Sequence, residues 1–269
     1  MKKNLFVKLS ILLALLLFLA GCGNSESSPD DQTLKIGSME GLQSEVLDVA
    51  VEKLEEQGYT VEIVTFSDYQ APNTALEENS LDANIFQHTP FLDSYNRDKG
   101  TDFVSAGAAF LNPMAIYSEN YLSIDEVQDG DLFALPNDPT NMGRALLVLE
   151  ATGLIEIEEG VDNPTTDDII ENSKNLEFIE LEPAQVTASL EDVDFAAINS
   201  NYAVDFGLNP KEDSIFTESI DSPYTVQIVT TQELNDSQKI SDLVAAYQND
   251  AVVDAMDELS NGTLLPGWK

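Results

Sequence analysis

Residues 137–150, with the sequence NDPTNMGRALLVLE, put Arg144 just inside a predicted helix that follows a turn-forming segment. Thr140 or Asn141 would be a suitable N-cap, and the first backbone amides of the helix would then face outward with the positive end of its dipole. A carboxylate bound there would also receive charge-assisted hydrogen bonds from the guanidinium, each worth about 1.5 to 3 kcal/mol. The alternative is a salt bridge between Arg144 and one of the many acidic residues. Both interpretations stay open on this segment alone.

Two further segments put aromatic or polar side chains directly after predicted strands. Residues 85–92, IFQHTPFL, carry Phe86, His88 and Phe91 into the start of a helix, where they could line a pocket or simply belong to the core. Asn199 ends another apolar strand. Its amide can accept a hydrogen bond from an ammonium and donate one to a carboxylate, although an asparagine at this place is also a common helix cap.

Motifs of the common hydrolases and nucleotide-binding proteins are absent from the sequence. It has no glycine-rich phosphate loop and no Gly-x-Ser-x-Gly segment. His88 and Cys22 are its only histidine and cysteine, and it has no twelve-residue calcium loop. The carboxylates are so numerous that no pair stands out as an acid and a base. We therefore predict no catalytic residues, no metal and no cofactor.

The charge balance restricts the partners of this protein. Its 269 residues include 12 lysines and arginines against 49 aspartates and glutamates, for a formal net charge of -37. Such a chain is not expected to bind nucleic acid, and beyond its first residues it has no basic cluster that would bind anionic headgroups. A large excess of carboxylates keeps a protein soluble at some cost in self-repulsion, which suits a saline or alkaline milieu.

The N-terminus has the pattern of a secretory signal. Three lysines precede about a dozen apolar residues, too few for the roughly 20 that a membrane-spanning helix needs. The segment LAGC at 19–22 resembles the lipobox of bacterial lipoproteins, in which the cysteine becomes acylated after cleavage. We predict a signal peptide at 1–21, a lipidated Cys22 and a flexible tether at 22–32, which is polar and serine-rich. The alternative is an ordinary signal peptide followed by an incidental thiol.

Strands and helices alternate along the rest of the chain, which is typical of an α/β protein with mixed sheets. The length of the ordered part favours two lobes, with crossover points near Pro113 and the segments DGDL and SPY. In open α/β sheets, ligands bind beyond the carboxyl ends of the strands. Strands are predicted at 33–38, 59–66, 81–86, 102–107, 131–136, 176–181, 194–198 and 224–231, and helices at 42–57, 88–99, 143–152, 183–190, 201–206 and twice between 236 and 259.

Several ordered blocks together resemble the methionine-binding lipoproteins of ABC importers, the NlpA lipoprotein family. The resemblance runs from about residue 33 to residue 268 and implies a two-lobed periplasmic-binding-protein fold, type II-like, with the ligand cleft between the lobes. The first lobe would comprise 33–117 completed by 225–269, and the second 118–224. The blocks are DYQAPNTAL, LDANIFQHTPFL, LPNDPTNMGRALLVLEATGLI, NLEFIELEPAQV, INSNYAVDFGLNPK, DSPY and the closing Gly267-Trp268.

The resemblance also implies roles for individual residues. Arg144 matches the arginine that holds the ligand carboxylate, and Asn199 matches the asparagine that binds the amino-acid backbone. Aromatic residues and the histidine match the walls of the side-chain pocket, where a thioether would lie against aromatic faces. Two further site residues come from the polar turn beside the arginine and from the block DSPY. These additional site residues are Tyr69, Phe86, His88, Asn141 and Tyr224.

The chain departs from the family pattern at three places. Asn112 and Phe91 stand where methionine-binding members commonly have tyrosine, and Thr225-Val226 replaces a common Val-Asn. We include Asn112 and Phe91 in the predicted site. An unpaired buried amide at Asn112 would disfavour an apolar ligand by about 1 to 3 kcal/mol, so it could select a more polar side chain.

The resulting hypothesis is a solute-binding lipoprotein of an ABC importer, anchored by lipid on the outer face of the cell membrane. It would capture an amino acid, methionine in the first place, and deliver it to a membrane permease driven by an ATPase. One alternative is a binder of a more polar amino acid or a small peptide. Another is a lipid-anchored enzyme that uses His88 as acid or base.

Overall fold

The computed structural model describes residues 32–269. The predicted signal peptide at 1–21, the lipidation site Cys22 and residues 22–31 of the tether lie outside these residues and remain predictions. Among the helices described, none is long and apolar enough to cross a membrane.

The described chain alternates strands and helices, as the sequence predicts. The strands are β1 (Thr33–Met39), β2 (Thr60–Phe66), β3 (Ala83–His88), β4 (Val104–Leu111), β5 (Ala115–Tyr117), β6 (Leu132–Pro136), β7 (Ile155–Ile157), β8 (Ile169–Asn172), β9 (Glu177–Leu181), β10 (Phe195–Ile198), β11 (Ser214–Thr217), β12 (Val226–Thr230) and β13 (Leu265–Pro266). The helices are α1 (Leu42–Glu56), α2 (Ala71–Glu77), α3 (Thr89–Lys99), α4 (Pro139–Glu150), α5 (Pro183–Ala188), α6 (Ser200–Asp205), α7 (Gln238–Tyr247) and α8 (Asp250–Ser260).

The first lobe is built on a six-stranded mixed sheet in the order β13-β4-β12-β3-β1-β2. β1 runs parallel to β2 and β3, whereas β12 is antiparallel to β3 and β4. All six residues of β3 are buried, as expected for a strand near the middle of a sheet. Val46, Ala50 and Leu54 recur every four residues along α1 and pack into the core of this lobe. That spacing is the feature by which the sequence predicts α1.

The second lobe contains a five-stranded mixed sheet in the order β11-β5-β10-β6-β9. β6 is parallel to β9 and β10, and β5 is antiparallel to β10 and β11. Apolar residues of α4 cover one face, where the Phe133 and Phe195 rings lie 4.7 Å apart. β7 and β8 form a separate antiparallel ribbon.

The chain passes between the two sheets twice. It leaves the first sheet after Leu111 and enters the second at Ala115, then leaves the second after Thr217 and returns at Val226. The predicted boundary at 224/225 falls inside the second passage. The boundary predicted at 117/118 is too late, because Ala115–Tyr117 pairs with β10 and β11. Three apolar residues give no sequence signal of which sheet they join.

The first residues of α4 and α3 differ from the predicted ones, and both differences affect the site. α4 begins at Pro139, four residues before the predicted start, because Asp138 caps it and proline is well suited to the first helical position. His88 ends β3 and caps α3, so it precedes the helix in which it was predicted. Both changes move polar side chains to the ends of buried strands.

Candidate functional site

A cleft lies where the carboxyl-terminal ends of strands from both sheets meet. His88 ends β3, Asn112 follows β4, and Asn199 follows β10, while α4 after β6 supplies Asn141 and Arg144. The cleft encloses a cavity of about 30 Å³. Its lining comprises Gln43, Tyr69, Phe86, Gln87, His88, Phe91, Asn112, Asn141, Arg144, Asn199, Ser200, Asn201 and Val226. Eight of the nine residues predicted for ligand binding are therefore brought together.

The ninth, Tyr224, lies behind the lining. Its ring centroid is 4.7 Å from Cζ of Arg144 and 4.9 Å from the centroid of the His88 ring. A cation held over an aromatic face is stabilised by the ring quadrupole. Tyr224 therefore orients the arginine and the histidine.

Arg144 is deeply buried and its guanidinium is already engaged. Nη2 donates to Glu218 Oε2 at 2.6 Å and to the backbone oxygen of Asn112 at 2.9 Å, and Nε donates to both carboxylate oxygens of Glu218 at 3.1 and 3.2 Å. Among the residues the structure describes, Nη1 has no hydrogen-bond partner. The salt bridge that the sequence left as an alternative therefore exists, but it is buried, and one nitrogen of the guanidinium stays available to a ligand.

The N-terminus of α4 is occupied by the protein's own carboxylate. Asp138, rather than Thr140 or Asn141, is the N-cap, and its Oδ1 accepts from the Asn141 backbone amide at 3.0 Å. This carboxylate lies where the sequence analysis expected a ligand carboxylate. Arg144 is in the second turn, so its action on a ligand does not depend on the free amides of the helix. Burial raises the pKa of Asp138 above its ordinary value, while the Asn141 and Thr140 donors lower it.

A chain of polar side chains links this cap to the cleft. Both carboxylate oxygens of Asp138 accept from Asn141 Nδ2 at 3.0 Å, and Asn141 Oδ1 accepts from Asn199 Nδ2 at 2.8 Å. Asn199 occupies the N-cap position of α6 without making a side-chain capping bond. Its amide instead points across to Asn141, which favours the binding interpretation of Asn199 over the capping one.

His88 is neutral in this environment. Its Nδ1 accepts from the Phe91 backbone amide at 3.1 Å, so the proton resides on Nε2, which donates to Asn141 Oδ1 at 3.4 Å. Burial lowers the pKa of His88 to about 3, assisted by the positive charge of Arg144. His88 is thus a capping residue and a wall of the cleft at the same time, and it carries no charge at neutral pH.

One side of the cleft is an aromatic wall. Tyr69, Phe86 and Phe91 pack together with Met39, and their ring centroids lie 5.7 to 6.2 Å apart. The Tyr69 hydroxyl donates to Asn201 Oδ1 at 2.6 Å. A flat apolar ligand group could lie along this wall, with polar groups at its edges.

Four buried polar atoms of the lining have no hydrogen-bond partner among the described residues. They are Gln43 Oε1, Asn112 Oδ1, Asn199 Oδ1 and Asn201 Nδ2. Buried polar atoms in native structures are nearly always paired, because leaving one unpaired costs about 1 to 3 kcal/mol. Their convergence on one cleft indicates a site for a polar, hydrogen-bonding molecule.

Several residues of the site were not found from the sequence. Gln43 lies within the predicted helix at 42–57, and Gln87 lies between the predicted strand at 81–86 and the predicted helix at 88–99. Glu218 lies in a segment without any clear pattern. Ser200 and Asn201 belong to the block INSNYA, in which only Asn199 was selected. Asp138 is the missed N-cap of α4. No group of metal-ligating side chains is found among residues 32–269.

The departures from the family pattern converge on the same cleft. Phe91, Asn112 and Val226 all line it. Val226 on β12 pairs with Phe110 on β4, and Phe110 lies two residues before Asn112. All three positions at which we predict a departure from the family pattern therefore contribute to the lining of the cleft.

Comparison with known proteins agrees with this geometry. Residues 34–268 match the sequence profile described as NlpA lipoprotein. This chain belongs to the NlpA lipoprotein family. Among curated NlpA relatives, the D-methionine-binding lipoprotein MetQ of Salmonella typhi is 45% identical over 256 residues, which cover 94% of each protein.

Solved structures extend the comparison from sequence to fold. An ABC transporter periplasmic substrate-binding protein from Coxiella burnetii has a TM-score of 0.84 and 38% identity, covering 87% of this chain and 99% of the neighbour. A nutrient binding protein from Burkholderia cenocepacia bound to methionine has a TM-score of 0.85 and 38% identity, covering 87% and 100%. The predicted family and the two-lobed type II-like fold of this NlpA lipoprotein are therefore confirmed.

Proposed function

We propose that this protein captures methionine outside the cytoplasmic membrane and delivers it to an ABC permease driven by an ATPase. The observation that carries the proposal is the set of unpartnered buried amide atoms beside Arg144, facing an aromatic wall. This arrangement offers a polar end and an apolar end within one cleft. A zwitterionic amino acid with an unbranched apolar side chain has the same two ends. The names of the relatives, which include methionine binders, agree with this assignment.

The polar end would hold the ligand backbone. Nη1 of Arg144 is available to the α-carboxylate, and Asn199 Oδ1 is an acceptor for the α-ammonium. Glu218 neutralises the arginine, so the clamp adds no net positive charge to the cleft. This balance suits a zwitterion better than a dicarboxylic amino acid, whose second carboxylate would meet Glu218 and no second cation.

The apolar end would hold the side chain. A thioether sulfur makes favourable contacts with aromatic rings, worth about 0.3 to 1.5 kcal/mol each. Phe86 and Phe91 offer such faces, and Tyr69 closes the wall. The cavity of about 30 Å³ corresponds to roughly one water molecule, so the lobes must move apart to admit methionine and then close on it.

A second candidate is a more polar amino acid, and Asn112 is the observation that favours it. Its Oδ1 is buried without a partner in the cleft, and a ligand side chain that donates a hydrogen bond would satisfy it. The enzyme alternative is weaker, because a histidine with a pKa of about 3 is not an imidazolium acid at neutral pH and its neutral ring is only a weak base. The Salmonella typhi relative is named as a binding protein.

The location follows from the N-terminal pattern and the family. Acylation of Cys22 would hold the protein at the outer face of the cell membrane by two or more lipid chains, which together bind stably. The tether at 22–32 would leave the binding domain free to reach the permease.

The test is calorimetric titration of the purified lipoprotein with L-methionine and with D-methionine, together with mass spectrometry of any small molecule released on denaturation. We expect methionine to bind with one site per chain. Asn199→Ala should weaken binding about 10- to 100-fold, because it removes a hydrogen bond to a charged group. The matched control is Asn120→Ala, which changes an exposed asparagine outside the cleft. Release of a different compound, with no response to either methionine enantiomer, would contradict the proposal.

A further inference from the structure

α6 belongs to the second lobe, but its side chains reach the first lobe along its whole length. Asn201 accepts from the Tyr69 hydroxyl at 2.6 Å, and the Tyr202 hydroxyl donates to the backbone oxygen of Ser67 at 3.2 Å. At the end of the helix, the Asp205 carboxylate lies against Gly41 and Leu42 at the start of α1. The helix that carries pocket residues is therefore also a bridge between the lobes.

The contact at Gly41 is very close. A Cβ added to Gly41 would overlap Asp205 Oδ1, and Gly41 has a φ of 76°, in the region that favours glycine. The Leu42 backbone amide, at the first turn of α1, lies near the same carboxylate and lowers its pKa. Glycine at this position lets the Asp205 carboxylate approach the end of α1.

We propose that Asp205 is a positioning residue for ligand binding, which docks the end of α6 on the N-terminus of α1 and makes lobe closure depend on its protonation. This inference rests on the proposed function, because Ser200 and Asn201 at the start of the same helix line the ligand cleft. A ligand that draws these residues inward also brings Asp205 to Gly41. Binding and closure are thus coupled through one short helix.

The surroundings of Asp205 oppose its ionised form. Asp205 is an exposed residue, but partial burial of its carboxyl and the negative charges of Glu40 and Glu45 together raise its pKa to about 6, against the opposing effect of the Leu42 amide. Glu40 lies in the turn before α1 and Glu45 in its first turn, so both face the carboxylate from the first lobe. No positive charge contributes to the pKa of Asp205 among the residues described.

The direction of the pH effect follows from linkage. When the lobes separate, the carboxyl is solvated and its pKa returns toward the ordinary value of about 4. The closed form therefore binds the proton more tightly than the open form. Lowering the pH from 7.5 to 5 favours closure, and with a closed-form pKa of about 6 the closure equilibrium rises by at most about tenfold, because solvent screens the partly exposed carboxyl. Methionine stays zwitterionic over this range, so the ligand adds no titration of its own.

The experiment measures methionine affinity at pH 7.5 and pH 5 in the full-length lipidated protein in detergent. We expect the wild type to bind about three- to tenfold more tightly at pH 5, and Asp205→Asn to change less than twofold. Asp205→Asn keeps an acceptor for Leu42 but cannot ionise, so it should also bind more tightly than the wild type at pH 7.5. Asp138, whose pKa is also raised, is present in both proteins and cancels in the comparison.

The matched control is Asp192→Asn, which removes the same charge from an exposed position in the second lobe. It should keep the pH response of the wild type. Parallel pH profiles for the wild type and Asp205→Asn would overturn the proposal. So would weaker binding by Asp205→Asn at pH 7.5.

A second measurement separates this inference from the proposed function. Hydrogen exchange of peptides covering residues 40–46, corrected for intrinsic rates, reports closure without a ligand. Protection in the wild type should increase between pH 7.5 and pH 5 and stay level in Asp205→Asn. If methionine fails to bind but this difference is seen, the proposed function fails and the role of Asp205 stands. Equal changes in both proteins would overturn the role of Asp205 whether or not methionine binds.

A double-mutant cycle tests the contact itself. Gly41→Ala should weaken methionine binding because its Cβ overlaps the carboxylate. The same change in an Asp205→Ala background should cost at least threefold less affinity, since the obstructing atom is gone while the backbone strain is the same. An equal loss in the two backgrounds would show that Gly41 acts without Asp205 and would contradict the docking contact.

Discussion

Arg144 and Glu218 form an ion pair in which Nη2 and Oε2 are 2.6 Å apart, with only 4% and 8% of their side chains exposed. The pair joins α4 to the segment through which the chain returns to the first sheet. A buried pair of this kind contributes little net stability, but removing one partner leaves an uncompensated charge in the interior. Arg144 therefore has a structural role in addition to its predicted role toward the ligand.

Arg144→Ala should consequently weaken both binding and folding. We expect the free energy of unfolding to fall by about 3 to 5 kcal/mol, because the Glu218 carboxylate is left buried and unpaired. The double variant Arg144→Met, Glu218→Met should recover most of that stability, since no buried charge remains, but should not recover methionine binding. Urea denaturation and calorimetric titration measure the two effects separately. Full binding by the double variant would remove Arg144 from the ligand site.

The unpartnered amide of Asn112 makes a prediction about selectivity. Asn112→Leu should tighten methionine binding by about 5- to 100-fold if methionine leaves Asn112 Oδ1 unsatisfied, because the desolvation cost disappears. Titration with methionine, asparagine and glutamine measures the effect, with Asn120→Leu as the surface control. Loss of methionine affinity in Asn112→Leu would mean that the amide binds the ligand directly.

Most of the fold was predictable because its signals are local. The four-residue spacing of Val46, Ala50 and Leu54 gives α1, and apolar runs ending in polar turns give β1, β3, β6 and β10. The sequence does not predict β5, β7, β8, β11 and β13, because strands of two to four residues show little periodicity and depend on their partners. The second sheet could not be assigned from these segments alone.

The site was predictable only in part, for a different reason. His88, Asn199 and Arg144 stand in recognisable turns after strands or beside a helix start, whereas Glu218 meets Arg144 from 74 residues away. No local pattern reports such a pairing. The N-cap of α4 is Asp138 and not the predicted Thr140 or Asn141, because Pro139 is the first residue of the helix and not part of the preceding turn.

The hydrogen bond between Tyr69 and Asn201 joins the two lobes at the edge of the cleft. Tyr69→Phe keeps the aromatic wall but removes the donor, so methionine affinity should fall about 3- to 10-fold with little change in stability. Tyr121→Phe is a suitable control, since its hydroxyl donates to Asp131 within the second lobe at 2.7 Å. An equal effect of both variants on affinity would mean that the bond between the lobes has no specific part in closure.

The depressed pKa of His88 predicts a specific contribution to acid unfolding. The folded protein keeps the imidazole neutral down to a pH of about 3, whereas the unfolded chain protonates it near its ordinary pKa of about 6.5. Below that value the unfolded state binds a proton that the folded state excludes, so stability falls as the pH decreases, by roughly 3 kcal/mol at pH 4.

His88→Asn should remove this loss while preserving the cap of α3, because an asparagine oxygen can accept from the Phe91 amide. Urea denaturation of both proteins between pH 7 and pH 4 measures the difference, and the carboxylates common to both cancel. The free energy of unfolding of His88→Asn should therefore rise relative to that of the wild type as the pH falls. A constant gap over this range would mean that the folded protein accommodates the protonated imidazole, and His88 could then carry a charge toward the ligand.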